Sequence, residues 1–137
     1  MTRAFDGVRV VDFTQVLSGP VATGNLAQLG ADIIKIELQG TGDQTRNLMA
    51  EGEWALAGLG PVFMGFNCGK RSIALDLKNG EAKKVVRRMI ESADVVAENF
   101  KPGVMERLGF GYEDVKAIKP DIVYCSISGF GQNGPAS

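Results

Sequence analysis

The stretch SADVVAENFKPGVMER, residues 92–107, decides the fold. Its apolar residues 95–97 are typical of a short buried strand, and the polar residues 98–101 follow that strand directly. Pro102 and the glycine after it suit the beginning of a new helix, which carries Arg107. In a parallel α/β sheet, ligands bind beyond the carboxyl ends of the strands, because side chains and helix N-termini converge at that edge. The stretch therefore predicts a strand of a parallel sheet that leads into one side of a ligand site.

The N-terminal part of the sequence predicts a β-α-β unit. Residues 7–13, GVRVVDF, and residues 31–37, ADIIKIE, are apolar over several consecutive positions, which is typical of strands covered on both faces. The residues between them predict a helix over 21–29, with Ser18 suited to cap its start. Two strands joined through a helix form a right-handed parallel crossover.

Residues 38–69 have a different character. Seven glycines interrupt them, and no apolar periodicity runs long enough to indicate a helix or strand. This pattern predicts a long glycine-rich loop, and a connection of such length is either functional or mobile. Asp43, Arg46 and Trp54 lie in it, and the simplest interpretation is a surface loop with Trp54 as its one pinned aromatic side chain.

The rest of the sequence predicts a second set of alternating elements. A strand is indicated at 72–77, a helix with a solvated basic face at 79–93, another helix at 112–118 and a buried strand at 121–127. The whole order predicts an α/β fold, a Rossmann-like parallel sheet with flanking helices. Because the sequence finishes on a loop, 128–137, at the exit of a strand, we expect an incomplete large domain.

The composition excludes several classes of function. Fifteen basic and 16 acidic residues give a net charge of −1, so no basic field favours nucleic acid or a membrane surface. Cys68 and Cys125, with no histidine in the chain, are too few ligands for a zinc site and are typical of reduced thiols in an intracellular protein. The N-terminus lacks the pattern of a signal peptide, and no window approaches the roughly 18 apolar residues of a membrane span. We expect a cytoplasmic protein that uses no metal.

Three cations follow predicted strand ends: Lys78, Lys101 and Arg107. They favour a clamp for phosphate and pyrophosphate groups, in which Arg107 supplies a planar fork and the lysines supply point charges. Phe100 would lie against an adenine ring of a nucleotide-like ligand. The alternative is that the cations are ordinary surface charges and that Phe100 closes the core.

Two other patterns point to chemistry less directly. Residues 129–134, GFGQNG, match GxGxxG after a strand, but Pro135 follows and no ribose-binding acid comes later. A glycine turn that lets the backbone approach a ligand is favoured over NAD or FAD binding. The absence of histidine excludes a Ser-His-Asp set, and among the possible acids Asp12, Asp43 and Glu98 the sequence selects none.

Several segments together resemble the start of the family III CoA-transferases, the carnitine-CoA transferase and formyl-CoA transferase group. They are FDGVRVVDFTQVLSGP, LAQLGADIIKIE, GTGDQTR, FNCGKRSIALDLK and ADVVAENFKPGVMERLGFGYEDVKAIKPDIVYCSISGFGQNGP. The resemblance covers essentially all of residues 1–137, which it identifies as the N-terminal part of a Rossmann-like domain that holds coenzyme A. It implies transfer of CoA between an acyl-CoA and a carboxylic acid, without a metal, by a homodimer of interlocked chains.

The residues that resemble the family's CoA site follow the strand ends: Leu17, Ser18, Leu75, Asp76, Leu77, Lys78, Asn99, Phe100, Lys101 and Arg107. Some members carry a nucleotide-binding arginine after the second strand, where Leu38 stands here. The family's catalytic aspartate, which forms an anhydride and then a CoA thioester, lies beyond residue 137, so the resemblance implies that these residues alone are inactive. An acyl-CoA racemase or epimerase of the same superfamily, or a non-catalytic CoA-binding module, remains the alternative.

Overall fold

The computed structural model describes residues 2–135. The strands are β1 Arg9–Asp12, β2 Asp32–Leu38, β3 Arg71–Leu75, β4 Val95–Glu98 and β5 Val123–Ser126. The helices are α1 Ser18–Gln28, α2 Gly52–Leu56, α3 Pro61–Asn67, α4 Gly80–Glu91, α5 Val104–Leu108 and α6 Tyr112–Ile118, and a 3₁₀ turn covers Gln44–Asn47. Within residues 2–135 the five strands form one parallel sheet in the order β3-β2-β1-β4-β5. The predicted α/β fold, a Rossmann-like parallel sheet with flanking helices, is confirmed.

The sheet is buried on both faces at its centre, because successive side chains of a strand point to opposite sides. In β1, Val10 and Val11 are both fully buried, but they belong to different apolar clusters. Val11 packs in the larger cluster with residues of α4, α5 and α6, whereas Val10 packs with Ala27 of α1. Consecutive apolar residues in the sequence are thus the mark of a strand between two helical layers.

Helix α4 follows from its local sequence. The Asn79 side chain caps it by accepting hydrogen bonds from the N–H groups of Glu81 and Ala82. Val86 and Ile90, four residues apart, are fully buried against the sheet. The helix predicted over 79–93 is present, with its last turn ending two residues earlier.

The segment 38–69 is more ordered than the predicted glycine-rich loop. It contains the 3₁₀ turn and the short helices α2 and α3. Pro61 occupies the first turn of α3, which lies so close to α1 that a Cβ on Gly24 would stand 2.7 Å from the Phe66 carbonyl oxygen. Trp54 is 60% exposed, so the interpretation of a pinned aromatic side chain is wrong.

Strand β5 differs from the predicted buried strand. It pairs with β4 on one side and forms an edge of the sheet. Val123 is 59% exposed, and Cys125, on the same face, is exposed too. The apolar run 121–127 therefore reports burial of only one face, through Tyr124 and its neighbours. Every helix within residues 2–135 is too short or too polar to cross a bilayer.

Candidate functional site

The carboxyl ends of β1 and β4 lie side by side, and a cleft opens beyond them. It has a volume of about 800 Å³ and is lined by Ser18, Asn99, Phe100, Lys101, Pro102, Ile127, Ser128, Gly129, Phe130 and Gly131. Four predicted site residues, Ser18 and the three that follow β4, line this cleft. Its remaining wall is the turn after β5, part of the GxGxxG match. Residues 129–134 contain no helix, so the match does not itself open a helix as a dinucleotide fingerprint does.

A smaller cleft of about 420 Å³ adjoins it on the β1 side. The two clefts share four residues, and the smaller one adds Gln15, Val16, Leu17 and Gln44. The predicted site residue Leu17 is therefore brought together with Ser18 and the residues after β4. The prediction that Ser18 caps α1 is wrong. Leu17 holds the N-cap position, and the cap has no side-chain hydrogen bond.

Asn99 joins the two sides of the site. Its Oδ1 accepts from the Gln15 N–H at 2.7 Å, and its Nδ2 donates to the Gln15 carbonyl oxygen at 2.8 Å. Nδ2 also lies 3.5 Å from the Ser18 hydroxyl. Much of the hydrogen-bonding capacity of this amide is thus used to fix the loop between β1 and α1.

The next residue of that loop, Val16, has a left-handed backbone with φ of 67°. Its N–H faces both carboxylate oxygens of Asp43 at 3.3 and 3.4 Å. Asp43 is fully buried and pairs with Lys35 of β2 at 2.9 Å, and Lys35 also donates to the Thr14 carbonyl oxygen at 2.5 Å. Burial acts to raise the pKa of Asp43, but hydrogen bonds from Thr45 and the Lys35 ammonium outweigh burial and lower it.

A second buried ion pair, between Lys70 and Asp12, contacts the same loop through Thr14. The Lys70 ammonium lies 3.2 Å from the Asp12 carboxylate, and both side chains are at most 1% exposed. The other Asp12 oxygen accepts from the N–H and the hydroxyl of Thr14 at 2.9 and 2.5 Å. Burial lowers the pKa of Lys70, against the attraction of Asp12.

The third buried carboxylate on this side, Glu37, fixes the 3₁₀ turn. Arg46 donates to both Glu37 oxygens at 2.7 Å, and the Asp43 N–H donates to Glu37 at 2.8 Å. Ser72 of β3 donates to the same carboxylate. Burial acts to raise the pKa of Glu37, but the hydrogen bonds from the Arg46 guanidinium and the Ser72 hydroxyl outweigh burial and lower the pKa below its ordinary value.

Glu98 connects the two walls of the larger cleft. It is buried at the end of β4, with one oxygen accepting from the Phe100 N–H at 2.8 Å. The other oxygen accepts from Ser126, whose hydroxyl oxygen accepts from Gln132 at 2.5 Å. The glycine-rich turn and the residues after β4 are therefore joined through one carboxylate.

The remaining predicted site residues lie outside both clefts. Residues 75–78, from Leu75 through Asp76 and Leu77 to Lys78, leave the sheet at the end of β3, three strand positions from β4 and thus roughly 14 Å away. They lie at the same edge because all the strands run parallel. Arg107 is exposed on α5, with its Nη1 near Gly103. The geometry thus gathers Leu17, Ser18 and residues 99–101 and leaves these five apart.

The buried network around Asp43 and Asp12 is the feature that the sequence did not predict. Lys35, inside the otherwise apolar stretch DIIKIEL, was the available signal, since a lysine in a covered strand needs an anionic partner. Lys70 follows a glycine in a polar run and gives no such signal. Among the described residues, no group of three or more His, Cys, Asp or Glu side chains is arranged to hold a metal ion.

Comparison with known proteins places this architecture among CoA-transferases. The family model for CoA-transferase family III matches residues 5–137. The formyl-CoA:oxalate CoA-transferase of Afipia carboxidovorans is 47% identical over 131 residues, and the succinyl-CoA:glutarate CoA-transferase of Homo sapiens is 41% identical over 143 residues. These alignments cover 96% and 98% of this chain, which spans 30% of the length of each relative.

A solved structure is also similar to this chain in both fold and sequence. The crystal structure of a CAIB/BAIF family protein from Brucella suis matches with a TM-score of 0.89 at 41% identity. The match covers 98% of this chain and 36% of that one. At this identity the similarity extends beyond the order of strands to the sequence that forms them.

Proposed function

We propose, because the chain belongs to CoA-transferase family III, that the protein moves coenzyme A between an acyl-CoA and a carboxylic acid. The observation that carries the proposal is the 800 Å³ cleft at the carboxyl edge of β1 and β4, lined by residues 99–101. An open site at this edge is where a parallel sheet binds nucleotide-like ligands. The acyl group and the acceptor acid are left unspecified by these residues.

The side chains at this edge suit the parts of a CoA molecule. Lys101 is an exposed cation beside the cleft and would pair with a phosphate, while half-buried Phe100 offers an apolar surface to the adenine. Residues 75–78 lie along the same edge, and Arg107 is exposed on α5. We propose that these more distant residues contact the extended remainder of the ligand, with Arg107 as a planar fork for pyrophosphate.

The proposed chemical step requires a carboxylate nucleophile, which the described residues lining the two clefts do not supply. None of the described residues lining the two clefts is a carboxylate, and Asp12, Asp43 and Glu98 are buried and engaged. We therefore propose an aspartate outside residues 1–137 as the covalent catalyst. Its carboxylate attacks the thioester carbonyl, the C–S bond breaks and CoA leaves as the thiolate. The thiolate then attacks the aspartyl carbonyl of the anhydride, which releases the first acid and leaves an aspartyl-CoA thioester for the second acid.

The test uses the protein expressed over its full coding length. Incubation with an acyl-CoA and an isotopically labelled carboxylic acid should give labelled acyl-CoA, with total thioester conserved. Exchange of the α-proton without any acceptor acid would instead assign the racemase or epimerase activity. Neither reaction, together with retained CoA binding, would assign a non-catalytic CoA-binding protein.

Two further properties follow from the same proposal. We propose that the protein is a cytoplasmic homodimer, and light scattering on the full-length protein tests the dimer. We also propose that residues 1–137 alone do not turn over, because their clefts hold no carboxylate nucleophile. Calorimetry with CoA on this chain determines whether its cleft binds the ligand without the rest of the protein.

A further inference from the structure

We propose that the buried Lys35–Asp43 ion pair positions the β1–α1 loop, residues 13–17, for its ligand by holding Val16 in the left-handed conformation. This inference rests on the proposed function, because the smaller cleft beside the loop is taken as part of the CoA site. Lys35 and Asp43 themselves line neither cleft. They act through the loop and are positioning residues.

The backbone of Val16 is the reason the loop needs such support. A φ of 67° is unfavourable for a β-branched side chain, whose Cβ substituents crowd the backbone in this region. Such a conformation persists only where surrounding contacts determine it, and these conformations cluster at ligand sites. Val16 is 41% exposed and lines the smaller cleft, so apolar burial does not hold it in place.

The ion pair holds the loop through backbone groups on either side of Gln15, immediately before the Val16 N–Cα bond whose φ is positive. Lys35 donates to the carbonyl oxygen of Thr14, and Asp43 accepts from the N–H of Val16. Asn99 holds the N–H and the carbonyl of the residue between them. Consecutive backbone groups of residues 14–16 are thus bonded by a side chain of β2, by the residue that caps the 3₁₀ turn and by the residue that follows β4.

The burial of Lys35 and Asp43 indicates that the ion pair contributes more to the position of the loop than to the stability of the fold. Lys35 is 1% exposed and Asp43 is fully buried. Removing two charges from water cancels much of their attraction, and apolar replacements of similar volume are often as stable. What an apolar pair cannot supply is a donor for the Thr14 carbonyl and an acceptor for the Val16 N–H. Without them Val16 is expected to relax to negative φ, which would move exposed Leu17 within the site.

The test compares Asp43→Ala, which removes the acceptor for the Val16 N–H, in two backgrounds of the full-length protein. In the natural background the substitution should weaken CoA binding about tenfold, because the relaxed loop no longer fits the ligand. In the Val16→Gly background the same substitution should weaken binding about threefold or less, since glycine adopts positive φ without strain. An equal loss in both backgrounds overturns the proposal, because Asp43 would then not act through Val16. The Ile33→Ala control lies in the smaller core cluster, which contains no residue of the loop or of either cleft, and it should lower stability with CoA affinity unchanged.

A second variant covers the case in which Asp43→Ala does not fold. Lys35→Met with Asp43→Leu removes both charges together and leaves no unpaired ion. Its crystal structure should show Val16 at negative φ, and an unchanged φ overturns the proposal. If the natural protein binds no CoA, the proposed function fails, and the φ of Val16 in this variant alone decides whether the ion pair positions the loop.

Discussion

Lys35 lies 1% exposed in β2, with its ammonium 2.9 Å from the buried Asp43 carboxylate. Lys35→Met alone should lower the free energy of unfolding by about 3–5 kcal/mol, because it leaves a buried carboxylate without its cation. Urea denaturation measures the change. Lys84→Met is the matched control: Lys84 pairs with Glu81 at 2.7 Å, but both side chains are more than 70% exposed, so the loss should be within about 0.5 kcal/mol. Equal losses for the two substitutions would contradict a special role of burial.

Arg107 is a residue whose proposed role depends on charge at the surface. Arg107→Ala in the full-length protein should weaken CoA binding by about 1.5–3 kcal/mol, the contribution of a hydrogen bond to a charged group. The free energy of unfolding of this variant should change little, since the Arg107 side chain is exposed. Calorimetric titration measures the affinity, with Lys116→Ala on α6 as the control for an exposed cation elsewhere. Unchanged affinity in the Arg107 variant removes this residue from the site.

At the scale of elements, Arg46 fastens the 3₁₀ turn and the residues before α3 to the sheet. It donates to both oxygens of Glu37 at 2.7 Å and to the Gly58 carbonyl at 3.1 Å, and it lies 3.8 Å from the centre of the Phe63 ring. Arg46→Lys keeps the charge but loses the fork, so residues 44–60 should exchange their amide hydrogens faster while β1 and β4 stay protected. Hydrogen-exchange mass spectrometry reads both regions. In Arg71→Lys, which alters the exposed fork to Asp32, residues 44–60 should exchange as in the natural protein.

The same elements show how far the sequence predicts the structure. The strands and α4 are predictable because the pattern of neighbouring residues in the sequence indicates them. Consecutive apolar residues are typical of a strand covered on both faces, and the spacing of Val86 and Ile90 indicates a buried helix face. The short helices of 38–69 are not predictable, because they depend on contacts between residues distant in sequence, such as the close approach of Phe66 in α3 to Gly24 in α1. The candidate site divides in the same way. The position of Asn99 after β4 was predictable, but its grip on Gln15 was not, because it pairs residues 84 positions apart.

For the whole molecule, the two faces of the sheet are stabilised differently. The α4–α6 side is an apolar core that includes Phe13, Phe110 and Val115, all at most 1% exposed. The α1 side combines a smaller apolar cluster with buried ion pairs that reach the carboxyl edge. Burial of apolar area stays constant as pH falls, whereas the Lys35–Asp43 pair loses its negative partner when Asp43 is protonated. The supports of the candidate site should therefore be the acid-sensitive part of the fold.

This difference predicts the dependence of stability on pH. The pKa values of Glu37 and Asp43 are lowered from 4.5 and 3.8, because hydrogen bonds and cations outweigh burial. The unfolded chain then binds more protons than the folded one, so the stabilisation is complete above about pH 4.5 and is lost as pH falls through the folded-state pKa values. Urea midpoints should hold steady from pH 7 to 5 and fall below that range. The Lys35→Met, Asp43→Leu variant lacks the contribution of Asp43, so its decline should be shallower. Parallel declines in the two proteins would show that this ion pair is not the source of the acid sensitivity.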